Sequence, residues 1–517
     1  MQPQVESLIE SLEQFESLSD ERRRRAFEQV EWLQSVDDEQ LGELFAALAA
    51  SRLPTDADAS SSLLSAALAQ IDRASAYEPH QWNPLSKQSV ERTVTLYGQL
   101  APSVAGRHHL LRLLAQRGDE AALARLTELL VADPPQSETD VAVVFTPLFR
   151  RRNYRADALF PRLLDAVAYT GVAAGALDLA NYLTREQLVA EHPGKVRRPQ
   201  LEELLGRLAQ RLAHVEEHPA QYAQTADDMQ RTIGESVALV ISLCDAMALI
   251  GEEASIGKLY QAMELKHRRV RTEASAALAR LGEEEGRKTL LELASEPVAR
   301  LRVLAYADEL GIADKIDPQY ATPVARAEAE LALWLAQPSQ FGIPPTGIEL
   351  LDARTQSWPG SDDEVPCFLF RFRYDLGGTA FANVGIVGPV TVTFAADLNG
   401  LSVDDLYALF AGWQSEHEDI YRLDLEHLEG ATQVAAQRLA QFLIDAGYTQ
   451  IQPVWLGSFF GELALVAHAV HDEEDGVAVV DQDGIFWRTA PLSPRSLGPE
   501  EVYNLYKGRK ILSVFNA

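Results

Sequence analysis

The densest set of potential metal ligands in this 517-residue chain is His468, His471, Asp472, Glu473, Glu474 and Asp475, in the text VAHAVHDEEDG. Imidazole nitrogens and carboxylates are the donors that hold divalent ions, and a tight turn can gather them. Strand alternation opposes this: His468 and Val470 point to one side and His471 to the other, so a charged hairpin turn is expected and no metal. Asp481-Gln482-Asp483-Gly484 opens like a calcium loop but lacks the remaining acidic positions and the closing Glu, which leaves a turn. Glu416, His417, Glu418 and Asp419, with Glu426 and His427 nearby, contain His–carboxylate pairs suited to proton transfer, yet no nucleophile stands beside them. Gly457-Ser458-Phe459-Phe460-Gly461 has the wrong spacing for a nucleophile elbow, and no Walker A loop, GxGxxG or HExxH occurs. No cofactor is expected.

Basic residues offer binding chemistry instead. Arg150, Arg151, Arg152 and Arg155 form one cluster, Lys266 to Arg271 (with Arg268 and Arg269) a second, and Lys507, Arg509 and Lys510 a third. Each is a candidate surface for an acidic protein partner, although arginines that open a helix commonly pair with acids of the neighbouring one. The chain as a whole is acidic, with 46 Lys+Arg against 76 Asp+Glu and a net charge of −30. That balance repels phosphate backbones and anionic lipid, so neither nucleic acid nor membrane is an expected partner. The start, MQPQVESLIESLEQ, lacks the basic end and apolar run of a signal peptide, and no membrane span is read. Cys244 and Cys367 are expected as buried apolar groups in a reducing, cytoplasmic setting.

The elements that must position these residues divide the chain in three. Val5, Leu8, Ile9, Leu12 and Phe15 make one helical stripe, and a second helix follows Ser19. From about 38 to 336, runs such as LGELFAALAA, AALARLTELL and ASAALARLG predict helices separated by short Pro, Gly or Asp breaks. The Pro/Gly-rich stretch 338–366 reads as a linker or surface wrap. Beyond it the period turns to two, predicting strands at Cys367–Tyr374, Phe381–Phe394, Ile451–Phe460, Glu462–Val470, Val477–Val480, Ile485–Arg488 and Ile511–Phe515, with helices near Val403–Trp413 and Thr432–Ala446. Turns are expected at Asp375-Leu376-Gly377-Gly378 and at Asp481–Gly484.

An internal repeat runs through 240–311. Gly251, Gly282 and Gly311, 31 and 29 residues apart, each close a helical run. Eleven positions before Gly282 stands Arg271, followed by Ala274, Ala277, Leu278 and Leu281. The same offsets from Gly311 give Arg300, Val303, Tyr306, Ala307 and Leu310, and from Gly251 they give Val240, Leu243, Ala246, Met247 and Ile250. Gly118 and Gly171 end looser copies. This register resembles HEAT repeats of the bilin-lyase type (PBS lyase HEAT-like), best over 240–311 and loosely from about 100 to 336. The resemblance implies helical pairs stacked as an α-solenoid.

The expected fold is therefore multidomain and mainly α: an N-terminal α-solenoid of HEAT-like helical pairs over 1–337, the linker 338–366, and a C-terminal α+β domain over 367–517. That domain should hold a mostly antiparallel sheet and two or three helices. Repeat texture without a catalytic signature points to a non-enzymatic protein-binding scaffold or adaptor. The alternative is an enzyme or ligand-binding protein whose site lies in the C-terminal domain.

Overall fold

A computed structural model describes residues 3–51, 59–74, 83–135, 137–218, 226–376, 378–490 and 495–516. The chain is mainly helical and forms two compact units, Met1–Leu290 and Leu291–Ala517.

In the first unit the helices are α1 (Pro3–Glu13), α2 (Asp20–Glu28), α3 (Asp38–Ala50), α4 (Ala59–Ala74), α5 (Lys87–Gln99), α6 (His108–Arg117) and α7 (Glu120–Ala132). They continue as α8 (Glu138–Arg150), α9 (Thr170–Arg185), α10 (Arg198–Glu217), α11 (Ala226–Ile250), α12 (Ile256–Met263), α13 (Arg268–Arg280) and α14 (Glu284–Glu292). Local chemistry sets many of their ends. Asp37 and Gln40 form a reciprocal capping box on α3, and Asp119 and Ser137 cap α7 and α8. Gly251 and Gly282 take φ of 76° and 92°, the left-handed turn that lets one helix stop and the next reverse. Gly118 differs, with φ −70° in extended backbone, and Gly171 lies in the first turn of α9 instead of closing a helix.

The helices pack on near neighbours in sequence. One succession runs α4 on α6, α6 on α8, α8 on α9, α9 on α11 and α11 on α13. A second runs α3 on α5, α5 on α7 and α7 on the 3₁₀ segment Arg162–Ala168, and later α10 on α12. One apolar core threads both from Val5 to Leu278. Within α11, Ile233–Ile250 is long and apolar enough to cross a membrane, a stretch the sequence reading passed over. Leu239, Val240, Leu243, Cys244 and Met247 on that helix are fully buried in the core.

The second unit carries α15 (Pro297–Glu309), α16 (Pro323–Leu335), β1 (Gly347–Gln356), β2 (Val365–Leu376), β3 (Thr379–Val387), β4 (Val392–Thr393), α17 (Val403–Gln414), β5 (Ile420–Leu423), α18 (Gly430–Asp445), β6 (Thr449–Phe459), β7 (Glu462–His471), β8 (Glu474–Val480), β9 (Ile485–Thr489) and α19 (Pro499–Phe515). Two antiparallel meanders result, β1-β2-β3-β4 and β5-β6-β7-β8-β9, where one sheet was expected. Alternation along β2 explains the first: Phe370, Phe372 and Tyr374 bury against Leu331 and Leu335 of α16, while Cys367 and Leu369 face Leu406 and Phe410 of α17. In the second, Leu465, Ala467 and Ala469 cover Leu439 and Leu443 of α18, and Ala464 and Val466 cover Val502 and Tyr503 of α19. The unit thus has five layers: α16, sheet, α17 with α19, sheet, α18.

Several expectations need correction. The presumed linker 338–366 contains β1, a ten-residue strand that completes the first sheet. Helices α15 and α16, expected in the repeat domain, belong to the second compact unit. Ile511–Phe515 is not a strand but the last turn of α19, whose buried positions Val502, Tyr503, Leu505 and Tyr506 follow helical spacing. Of the turn expected at 375–378, Asp375 and Leu376 end β2, Gly378 has φ 95°, and Gly377 lies outside the described residues.

The middle layer rests on two glycines. A methyl group on Gly508 would collide with the Ala408 carbonyl oxygen, and one on Gly412 with that of Asn504, so α17 and α19 touch backbone to backbone. Gly508→Ala is expected to destabilise the second unit by about 3 kcal/mol, although alanine is the better helix former. Gly98→Ala in α5, where nothing lies within 4 Å of the added carbon, should be neutral or stabilise by up to about 1 kcal/mol. Urea denaturation of both variants separates a close-approach effect from helix propensity.

Candidate functional site

The candidate metal ligands of this stretch separate. Asp472 and Glu473, with φ of 50° and 64°, are the two central residues of the β7–β8 hairpin. His471 lies on the α18 face, stacked on Tyr448 at 4.2 Å between ring centroids. His468 projects to the opposite face, where Asp475, paired with Val470, joins it. His468 and Asp475, with Gln450, Gln452 and Ser496, line a pocket of about 530 Å³ beside the N-terminus of α19. Its polar lining gives hydrogen-bonding capacity toward a small ligand.

The third basic cluster is tied to acids of its own unit. Arg509 of α19 and Arg488 of β9 both pair with Asp405, the 4% exposed carboxylate in the first turn of α17. Lys510 donates to Asp481 at 2.6 Å and Glu462 at 2.8 Å. Asp481 also closes its own turn, accepting from the Asp483 and Gly484 amides, and it accepts the Tyr506 hydroxyl. The calcium-like text is thus a turn whose first carboxylate anchors α19. Lys507 is buried, and desolvation with Arg422 nearby pushes its ammonium down to about 8.

The first cluster is also broken up. Arg151 is 1% exposed and donates to the Ala115 and Gly118 carbonyls, closing the C-terminal end of α6. It therefore leaves the candidate surface. Arg150 stays exposed, Arg152 bonds Glu186 at 2.7 Å, and Arg155 pairs with Asp157. Arg268 and Arg269 stand exposed in the first turn of α13.

A groove absent from the sequence reading lies between the 3₁₀ segment Arg162–Ala168 and α10. Leu164, Val167, Leu201 and Leu204 line its volume of about 370 Å³, with Leu239 of α11 behind them. Arg197, Arg207 and Gln200 form its polar margin, and Arg197 bonds Asp165 across it at 2.7 Å. Helix α10 buries a stripe of Leu201, Leu205, Leu208, Leu212 and Val215. Leu204, at the edge of that stripe, was the available signal: one apolar residue more than the core takes in.

No family model matches the chain, and no curated protein matches it.

The Asp405 joint buries its carboxylate between two guanidiniums. Burial alone would raise its carboxyl, but Arg509 and Arg488 outweigh that and hold it below the ordinary carboxylate value. A depressed folded value means the joint contributes fully above the unfolded value, about pH 4, and is lost as the pH falls through the folded one. Asp405→Asn leaves two guanidiniums facing each other and should cost about 3 kcal/mol at pH 7. The gap between wild type and variant should narrow steadily below about pH 4, read by urea titration of the second unit.

Proposed function

We propose that the chain is a protein-binding scaffold whose first unit is an α-solenoid of HEAT-like pairs, and that the groove between Arg162–Ala168 and α10 receives a peptide segment of its partner. The groove carries this reading: an apolar floor with a mixed polar margin of Asp165, Arg197, Gln200 and Arg207 fits a segment whose apolar side chains enter it. The ordered succession of packed helices supports the solenoid, since each helix covers the stripe of its near neighbours. The repeat register adds to it. Gly251, Gly282 and Gly311 share the left-handed turn. Arg300, at the repeat's Arg position and 3% exposed, ties its helix to α16 through the Ala325 carbonyl at 2.7 Å and Glu328 at 2.6 Å.

A second reading, a small-ligand site in the second unit, is favoured by one observation, the pocket that brings His468 and Asp475 together.

The scaffold reading is tested by placing a photo-cross-linking residue at Gln200 and, as control, at exposed Glu43 of α3. Adducts of defined mass are expected from Gln200, reduced about tenfold or more by Leu204→Asp, since a buried charge costs well over 1.4 kcal/mol. Equal adducts from both positions, or adducts indifferent to Leu204→Asp, would overturn the groove as the contact.

A further inference from the structure

We propose that the last turn of α10 binds a transition-metal dication of zinc type through His214, Glu217 and His218. The spacing i, i+3, i+4 sets all three on one helical face. One ligand atom from each lies within 4.8 Å of the others, and the two imidazole rings stand 4.7 Å apart. Metal–ligand bonds of about 2.1 Å place tetrahedral donors about 3.4 Å from one another. The three atoms must therefore close by little more than an ångström. All three side chains are exposed, so rotamer changes supply that movement without disturbing the core.

The turn that carries them is held. Glu216 accepts the backbone amides of Lys266 and His267 at 3.0 and 2.9 Å, which fastens the end of α10 to the entry of α13. The His218 amide closes the turn on the His214 carbonyl at 2.9 Å. Two imidazoles and one carboxylate select zinc, nickel or copper over calcium and magnesium, which take oxygen ligands. Three protein donors leave a fourth position open toward solvent, available to water or to a donor from another molecule.

Among the described residues a second cluster of suitable geometry, Glu462, Asp481 and Asp483, does not compete. Lys510 already places its ammonium among those carboxylates, 2.6 Å from Asp481 and 2.8 Å from Glu462. That site has its cation built in. The α10 cluster contributes two imidazoles, and the run HVEEH that carries it is legible in the sequence. The inference does not depend on the scaffold reading.

The test uses the full chain without an affinity tag and Zn²⁺ alone, with bound metal measured by equilibrium dialysis. Wild type should bind one equivalent that the double variant His214→Ala, His218→Ala loses, and Glu217→Gln should weaken that equivalent about tenfold. Substituted Co²⁺ should show the visible bands of a four-coordinate site in wild type only. His427→Ala, an exposed histidine elsewhere, should change nothing. Wild-type stoichiometry and affinity in the double variant, or no zinc bound by wild type, would overturn the proposal. Because the substituted side chains are exposed, unchanged circular dichroism separates loss of metal from loss of fold.

Discussion

Everything in the first unit depends on one constraint: a short Ala/Leu helix is marginal alone and holds its shape only while its apolar stripe is covered. The covering surface is always a helix close by in sequence, as α6 is enclosed by α4, α7 and α8. Contacts of short sequence separation satisfy this constraint cheaply in chain entropy. A single apolar core joins these helices. The second unit meets the same demand differently, by clamping each sheet between two layers.

Charge buried at the joints gives the packing its register. Arg107 donates to the Tyr97 carbonyl, lies 3.8 Å over the Tyr97 ring and pairs with Asp133, while Asp72 gathers His109, Arg112 and Gln116. Arg151, Arg300, Asp405 and Asp481 act alike. A slip of one turn would leave such a group inside the protein without its partner, which costs far more than a displaced leucine. Two of the three basic clusters that resemble a docking surface in the sequence are partly or wholly consumed in this way.

Local signals were legible where their cause is local. Ser402 caps α17 through the Asp405 amide, as its position before VDDLYALF indicates, and Gly251 and Gly282 turn left-handed where the repeat register places them. The hairpin at Asp472-Glu473 follows from two-residue alternation. What stayed hidden is set by partners distant in sequence. Ile511–Phe515 has strand-like composition but is held helical by the packing of α19 between α17 and the second sheet. Strand β1 sits among prolines and glycines and exists because β2 offers it an edge. The groove beside α10 is formed by segments about forty residues apart, so no window along the chain displays it.

The place of α19 in the order of synthesis has its own consequence. All nine strands emerge from the ribosome before this helix, yet it is half of the layer that separates the two sheets. Until it arrives, Ala464, Val466, Val477 and Val479 lack the cover of Val502 and Tyr503, Asp405 has Arg488 but not Arg509, and Asp481 is without Lys510. The meanders can form early, but their inner faces must wait. Final assembly of this unit therefore waits for α19, and nascent chains stopped short of Pro499 present an uncovered apolar sheet face to the chaperones that meet them.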